Sequence, residues 1–380
     1  MSDPFDADEL WFAHLLASVP TPASLERAAA RPARPASGRR RRYRTLVLAG
    51  GLALVVGVLG GLVLGLTRAG DKSAGAPATG SAVPASRVQP GLAGDDVHQD
   101  VVLFGGRGPG GVMADTWIWD GHSWSQRHPL HSPSPRRGPA MASDPAGGGV
   151  LLVGGTGPKG EALADNWEWD GTDWQLLAAD GAPGARAGAV LVQDPVAERV
   201  VLFGGQGAAD ARGSTWSWTG RLWIQETPAD APSNCGGASM AFDDATRRLV
   251  LVTGRGCSAA GASGATWTWD GHDWSRLRPA ASPPPGDGDA LAYDDASQLL
   301  ILSVPAAGHG CTLVSWTWDG TAWALRPDAG SPDGPATAVR DPASRKPLLL
   351  PASGESWLWT SGAWSVVAGA APPAGSCPTP

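Results

Sequence analysis

Six of the chain's seven histidines, His98, His122, His128, His131, His272 and His309, lie in its C-terminal three quarters, and none stands at a metal-ligand spacing. A zinc site of the HxH or HExxH kind needs two imidazoles on one face of a strand or helix. Surface or turn positions explain all six, and no metal or cofactor is expected. The carboxylates available as acid and base stand where a chain reverses: Asp144, Asp194 and Asp341 each precede a proline. Aspartate before proline starts a turn by bonding its own backbone. No catalytic residue is assigned on this reading.

The residue type in excess is tryptophan, with 19 in 380 residues. A surface of tryptophans could stack sugars, but these recur with a period. Pairs fall at Trp117 and Trp119, Trp167 and Trp169, Trp216 and Trp218, Trp267 and Trp269, Trp316 and Trp318, and Trp357 and Trp359. Each is followed by a third, at Trp124, Trp174, Trp223, Trp274, Trp323 and Trp364. Successive copies lie 50, 49, 51, 49 and 41 residues apart. Residues at equivalent places in every copy are the core each copy needs, and a period of this length marks a repeat architecture.

Each copy carries four strand signals. In the third, Ala189 to Val192 is followed by a turn at Asp194 and Pro195, then by Val200 to Phe203, Gly204 and Gly205, Thr215 to Trp218, and Leu222 to Gln225. Asp-Gly pairs at 120, 170, 270 and 319 suit the hairpin between the third and fourth strands. Strand side chains alternate, so both tryptophans of a pair share one face. Ile118, Glu168, Ser217, Thr268, Thr317 and Leu358 lie on the other. Bulky faces can then stack on small ones around a ring, as in a propeller.

The runs VVLFGG (Val101 to Gly106), LLVGG (Leu151 to Gly155) and VLFGG (Val201 to Gly205), each followed by the tryptophan strand, resemble the Kelch repeat and the central domain of galactose oxidase. The likeness covers roughly residues 90 to 368 and implies an all-β, six-bladed Kelch-type β-propeller with complete end blades. The double glycine is placed at Gly254 and Arg255 in the fourth copy and is lost in the fifth and sixth. Kelch propellers mostly bind other molecules through their loops. Copper-radical oxidation in the galactose oxidase family needs two tyrosines, and Tyr293 is the only one outside the apolar segment and its flank. The Asp-Gly-x-x-Trp turns loosely resemble those of sialidases, whose arginine triad and tyrosine are not found here.

Ahead of the repeats the composition divides the chain into a tail (1–44), an apolar segment (45–67) and a linker (68–88); the propeller takes 89–370 and a proline-rich tail 371–380. Leu46 to Leu66 is 21 residues without a charge, enough to span the roughly 30 Å hydrocarbon core. Arg39, Arg40, Arg41, Arg42 and Arg44 precede it. The positive-inside rule therefore expects an uncleaved single-pass anchor with a cytoplasmic N-terminus and an extracytoplasmic propeller. A cleaved twin-arginine signal at Arg41 and Arg42 is the rival. Gly57, Gly61 and Gly65 continue a stripe of small side chains along which two helices could approach as a homodimer. Asp8 to Val19 has an amphipathic pattern ended by Pro20, vaguely similar to the tails of anti-sigma regulators.

Residues 1–67 hold eight arginines against five acids, leaving 21 basic and 31 acidic residues beyond, a net of −10. Such a surface disfavours nucleic acid. Against that background the cationic and polar groups of the loops between strands two and three, and between copies, stand out. They are Arg107, Lys159, Gln206, Arg212, Arg255, His309, His128, Arg136, Arg137 and Arg186. The expected function is a binding module, without catalysis, for an extracytoplasmic protein or glycan of anionic character. A sensor signalling through the N-terminal tail is the alternative, and a degenerate hydrolase a weaker one.

Cys235, Cys257, Cys311 and Cys377 all follow the apolar segment, where disulfides persist, and allow three pairings. Cys235 and Cys257 are each eleven residues from Thr246, the centre of the fourth copy's first turn. An antiparallel hairpin then expects Cys235 to bond Cys257, and Cys311 to bond Cys377 by elimination. Each bridge would contribute about 3–4 kcal/mol. Peptide mapping without reduction is expected to recover these two linkages; a Cys235–Cys311 peptide, or free thiols in protein taken from outside the membrane, overturns the pairing.

Overall fold

The structure, a computed structural model, describes residues 83–369 apart from 179–180, 208–212, 233–236, 255–263, 285–289, 306–311 and 328. The four cysteines and Leu46 to Leu66 lie outside the described residues. Among those residues no helix is long and apolar enough to cross a membrane.

Six four-stranded antiparallel sheets follow one another along the chain, each built from consecutive strands. Blade one consists of Gly91–Asp95, Asp100–Phe104, Thr116–Trp119 and Trp124–Arg127, and blade six of Ala336–Asp341, Lys346–Pro351, Ser356–Thr360 and Ala363–Ala368. The first strand of each blade touches the first strands of both neighbours, and that of blade six touches that of blade one. The sheets thus close into a six-bladed β-propeller, without a strand borrowed from elsewhere. Ser86, Arg87 and Val88, assigned to the linker by composition, belong to the ring: the Arg87 amide donates to the Ala352 carbonyl (3.0 Å) and Val88 pairs with Arg107.

The core consists of six clusters, each shared by two neighbouring blades. Trp169 and Trp174 of blade two pack on Val102, Phe104 and Ile118 of blade one. Trp117, Trp119 and Trp124 of blade one pack likewise on Leu348, Leu350 and Leu358 of blade six. Bulky faces therefore stack on small ones around the ring, as expected. Within a blade, the second and third tryptophans stand opposite across the last hairpin, with ring centroids 5.2–5.5 Å apart. The third tryptophan has a polar end as well, and its indole N–H reaches into the preceding blade. Trp174 donates to Thr116 Oγ1 (3.0 Å), Trp274 to Thr215 (2.9 Å), Trp323 to Thr266 (2.9 Å) and Trp364 to Ser315 (2.9 Å). Trp124 closes the circle on Ser356 Oγ of blade six at 2.7 Å. Between blades two and three the acceptor position is Asn166, and neither its Oδ1 nor the Trp223 N–H has a partner.

Each first strand ends at a buried aspartate: Asp95, Asp144, Asp194, Asp243, Asp294 or Asp341. Asp194 Oδ1 accepts the amides of Val196 and Ala197, and Asp341 Oδ1 that of Ala343. These bonds carry the strand to Asp194, so the third copy begins with Val190–Asp194 rather than Ala189 to Val192, and its last strand is Trp223–Glu226. At Gly105 and Gly154 φ is +62° and +60°, and a side chain there would collide with the carbonyls of Arg136 and Arg186 in the next blade. The pair therefore has to be glycine where the next blade's loop presses close. In blade four the pairing of Val252 with Thr266 puts Thr253 and Gly254 at these places, one residue earlier than expected. The first hairpin of that blade sets Asp243 opposite Arg248. In blade five, without the glycines, the second strand runs on as Leu299–Pro305.

Ser356→Ala would strand the Trp124 N–H inside the closing joint and is expected to cost about 1–3 kcal/mol. Asn166→Thr supplies the hydroxyl that the other joints use and is expected to add about 1 kcal/mol. Urea unfolding of the full-length chain, followed by tryptophan fluorescence, should move the midpoint down in the first variant and up in the second.

Candidate functional site

Antiparallel topology puts the loops between strands two and three, and those between blades, at one end of each blade. The first and last hairpins lie at the other end. At the loop end the incoming chain forms a short ribbon with the loop of its own blade. Arg186–Ala187 pairs with Gln206–Gly207, Val88 bridges to Arg107, and Arg137 bridges to Thr156. The ribbons join into a belt, since the Gly106 amide donates to the Arg136 carbonyl and the Gly155 amide to the Arg186 carbonyl, both at 2.9 Å.

Five of the ten residues expected there reach solvent. Arg107, Lys159, Gln206 and His128 are exposed, and half-buried Arg137 donates to Gln89 Oε1 at 2.5 Å. Arg212, Arg255 and His309 lie outside the described residues. Arg136 and Arg186 are not surface cations, being 0% and 1% exposed. Arg136 is forked onto Asp165 with both contacts at 2.7 Å, and donates to the Ser134 and Gly154 carbonyls. Arg87, which sequence reasoning passed over, repeats this on Asp115 at 2.8 Å twice. The same carboxylates accept the indole N–H groups of Trp117 and Trp167 at 2.7 Å. Burial alone would raise Asp115 and Asp165, but the hydrogen bonds from Arg87 with Trp117, and from Arg136 with Trp167, bring both below the usual carboxylate range. In blade three Arg186 donates to Ser214 and the Gly204 carbonyl and lies 5.9 Å from the Trp216 ring. The available signal was position: Arg87, Arg136 and Arg186 each stand eight residues before the aspartate that ends the first strand.

The hairpin end carries acids perturbed in the other direction. Burial, then Asp95, pushes Asp100 up to about 6, against the opposing charges of His98 and Arg127. Burial, reinforced by Asp144 and Asp170, pushes Glu168 up to about 7. The carboxylates of Glu168 and Asp144 crowd the place a side chain would take at Gly147, and Glu168 Oε1 is buried without a hydrogen bond. Asp144 Oδ2 meanwhile accepts the Trp218 N–H from blade three at 2.5 Å. His98 Nδ1 lies 2.8 Å from buried Asp95, an imidazole oriented by a carboxylate at the turn beside Gly171. Tyr293 is buried in the core between blades four and five, where burial and then Asp243 push its hydroxyl up to about 12. Among the described residues no three histidine, cysteine, aspartate or glutamate side chains could hold a metal ion together.

No protein-family model matches the chain, and no curated protein matches it.

Glu168 and Asp100 have folded-state values above the ordinary 4.5 and 3.8. The folded chain therefore holds more protons than the unfolded one across these windows, and stability falls as pH rises. Thermal unfolding of the wild type should decline in midpoint from about pH 5, where the carboxylates held below the usual range are ionised in both states, to pH 7, then level off with respect to these groups. Glu168→Gln should flatten the part of the decline between about 5 and 7; an unchanged profile in that variant refutes the assignment.

Proposed function

We propose that this chain is a membrane-anchored, extracytoplasmic binding module of Kelch type, without catalysis, whose loop end takes an anionic protein or glycan. The observation that carries the reading is the contrast within the belt. Arg87 and Arg136 are consumed in holding it, whereas Arg107, Lys159 and Arg137 stand on it in solvent in a domain whose net charge is negative. Loops fixed to a rigid ring hold their side chains at small ordering cost on binding. The Kelch-type identity draws its support from the double glycines and the repeated tryptophan strand. The anchor rests on Leu46 to Leu66 with the arginines before it, and the two disulfides on cysteine placement. A cationic patch on an acidic domain also steers an anionic partner to one end of the ring.

An immobilised polyuronate is a suitable probe. The full-length chain in detergent should be retained and elute with salt, and the triple variant Arg107→Glu, Arg137→Glu, Lys159→Glu should elute earlier with an unchanged unfolding midpoint. Equal elution of the variant and the wild type would remove the loop end from the reading.

A further inference from the structure

At the hairpin end, a cavity of about 320 Å³ opens between the first hairpins of blades five and six, lined by Asp295, Ala296, Ser344, Arg345 and Lys346. That is near the small end of the roughly 300–1,000 Å³ typical of ligand pockets, and the space is a shallow one, open to solvent. Its walls are tied together across the joint. The Asp295 amide donates to the Arg345 carbonyl (3.3 Å), and Arg340 clasps the Asp295 carboxylate through Nε and Nη2 at 2.7 and 2.8 Å. Arg345 adds Nε at 2.5 Å.

These contacts saturate Asp295 and leave positive charge over. Burial alone would raise its carboxyl, but the hydrogen bond and charge of Arg340, with the charge of Arg345, hold it below the usual range. Arg345 commits only Nε, its terminal nitrogens make no hydrogen bond among the described residues, and its side chain is 67% exposed. Half-buried Lys346 has no ion-pair partner among them. The remaining acids nearby do not line the cavity: Asp341 accepts Ser344 Oγ and the Ala343 amide, while Asp244 and Asp96 act on Arg340.

The position also separates this feature from the frame. Where blade six has Arg345 and Lys346, the other blades have Gln99-Asp100, Gly148-Gly149, Glu198-Arg199, Arg247-Arg248 and Gln298-Leu299. A pair that changes from blade to blade is not needed to make a blade. The terminal nitrogens of Arg345 can take an oxyanion in a fork and the Lys346 ammonium can neutralise it. The aliphatic stems of both residues and the Ala296 methyl supply apolar surface for a ring.

We propose that the cleft between blades five and six binds a sugar-sized ligand bearing one oxyanion, a uronate or a sugar phosphate, through Arg345 and Lys346. The site is at the opposite end of the blades from the loop belt and does not depend on it. Calorimetric titration of the full-length chain in detergent with glucuronate, glucose 6-phosphate, inorganic phosphate and glucose tests this. At least one of the two sugar anions should bind, more tightly than inorganic phosphate, and glucose should not. Lys346→Gln and Arg345→Gly should each weaken the binding about tenfold or more. The glycine variant keeps the backbone, because φ at 345 is +59°, a conformation glycine adopts without strain. The triple loop-end variant should bind as the wild type does. Failure of both sugar anions to bind, equal binding of glucose or inorganic phosphate, or full binding by either single variant overturns the proposal.

Discussion

The ring depends on one repeated contact, the hydrogen bond from the last tryptophan of a blade to a hydroxyl on the third strand of the blade before it. Each such tryptophan packs its ring into an apolar joint and needs an acceptor for its N–H in that joint. A serine or threonine just ahead of the tryptophan pair supplies it in five joints, including the closing one between Trp124 and Ser356. Apolar stacking alone leaves neighbouring sheets free to slide. A buried donor with a single acceptor fixes one register, because a slip would leave the N–H unbonded.

The two ends of the blades are made differently, and this divides the possibilities for binding. At the hairpin end a buried aspartate closes each first strand, and in five blades its carboxylate takes amides of the turn, an arrangement local to the hairpin; in blade two Asp144 accepts the Trp218 N–H of blade three instead. At the loop end the frame is built across long distances. Glycines with positive φ let one blade's chain press on the next, and Arg87 and Arg136 are forked onto Asp115 and Asp165 some 28 and 29 residues away. The arginine and its carboxylate occur together in blades one and two; in blade three Arg186 meets Ser214 instead, and blades four and five have Ala265 and Val314 at the carboxylate place. Losing one member alone would leave a buried charge uncompensated, at a cost of about 3–5 kcal/mol.

Much of the fold was legible because tryptophan, Asp-Gly and Gly-Gly recur at a fixed interval, and a fixed interval has few structural meanings. Four strands per blade, the stacking of bulky on small faces and closure with complete end blades all follow from that period with strand alternation. What escaped was tertiary. The hydroxyl partner of Trp124 lies 232 residues away, and no local pattern announces it. Arg136 and Arg186 were read as loop cations because arginine in a glycine-rich loop is normally solvated. Applying to them the rule already applied to the tryptophans, that a residue repeated at equivalent places is frame, would have placed them inside. The acids with raised values were invisible for a related reason. Glu168 stands in a strand where the other copies have Ile118, Ser217, Thr268, Thr317 and Leu358, and only the packing shows that Asp144 lies beside it.

That rule also works in reverse, and it locates function on a ring whose repeats leave little else to reason from. Positions occupied alike in every blade are fixed by the needs of stacking and closure, so selection for binding can act only where the blades differ. At the loop end these are the residues that stand on the belt rather than inside it. At the hairpin end they include the pair that opens the second strand, which runs from Gln99-Asp100 in blade one to Arg345-Lys346 in blade six. The backbone at that place has a positive φ throughout, between +52° and +60° at Gln99, Glu198, Arg247, Gln298 and Arg345, and +109° at Gly148. One left-handed turn, repeated around the ring with different side chains on it, presents a pair of cations in blades four and six, an acid in blade one and no net charge in the others. On a symmetric frame, it is the asymmetry of this decoration that would tell one gap from another for a small charged ligand.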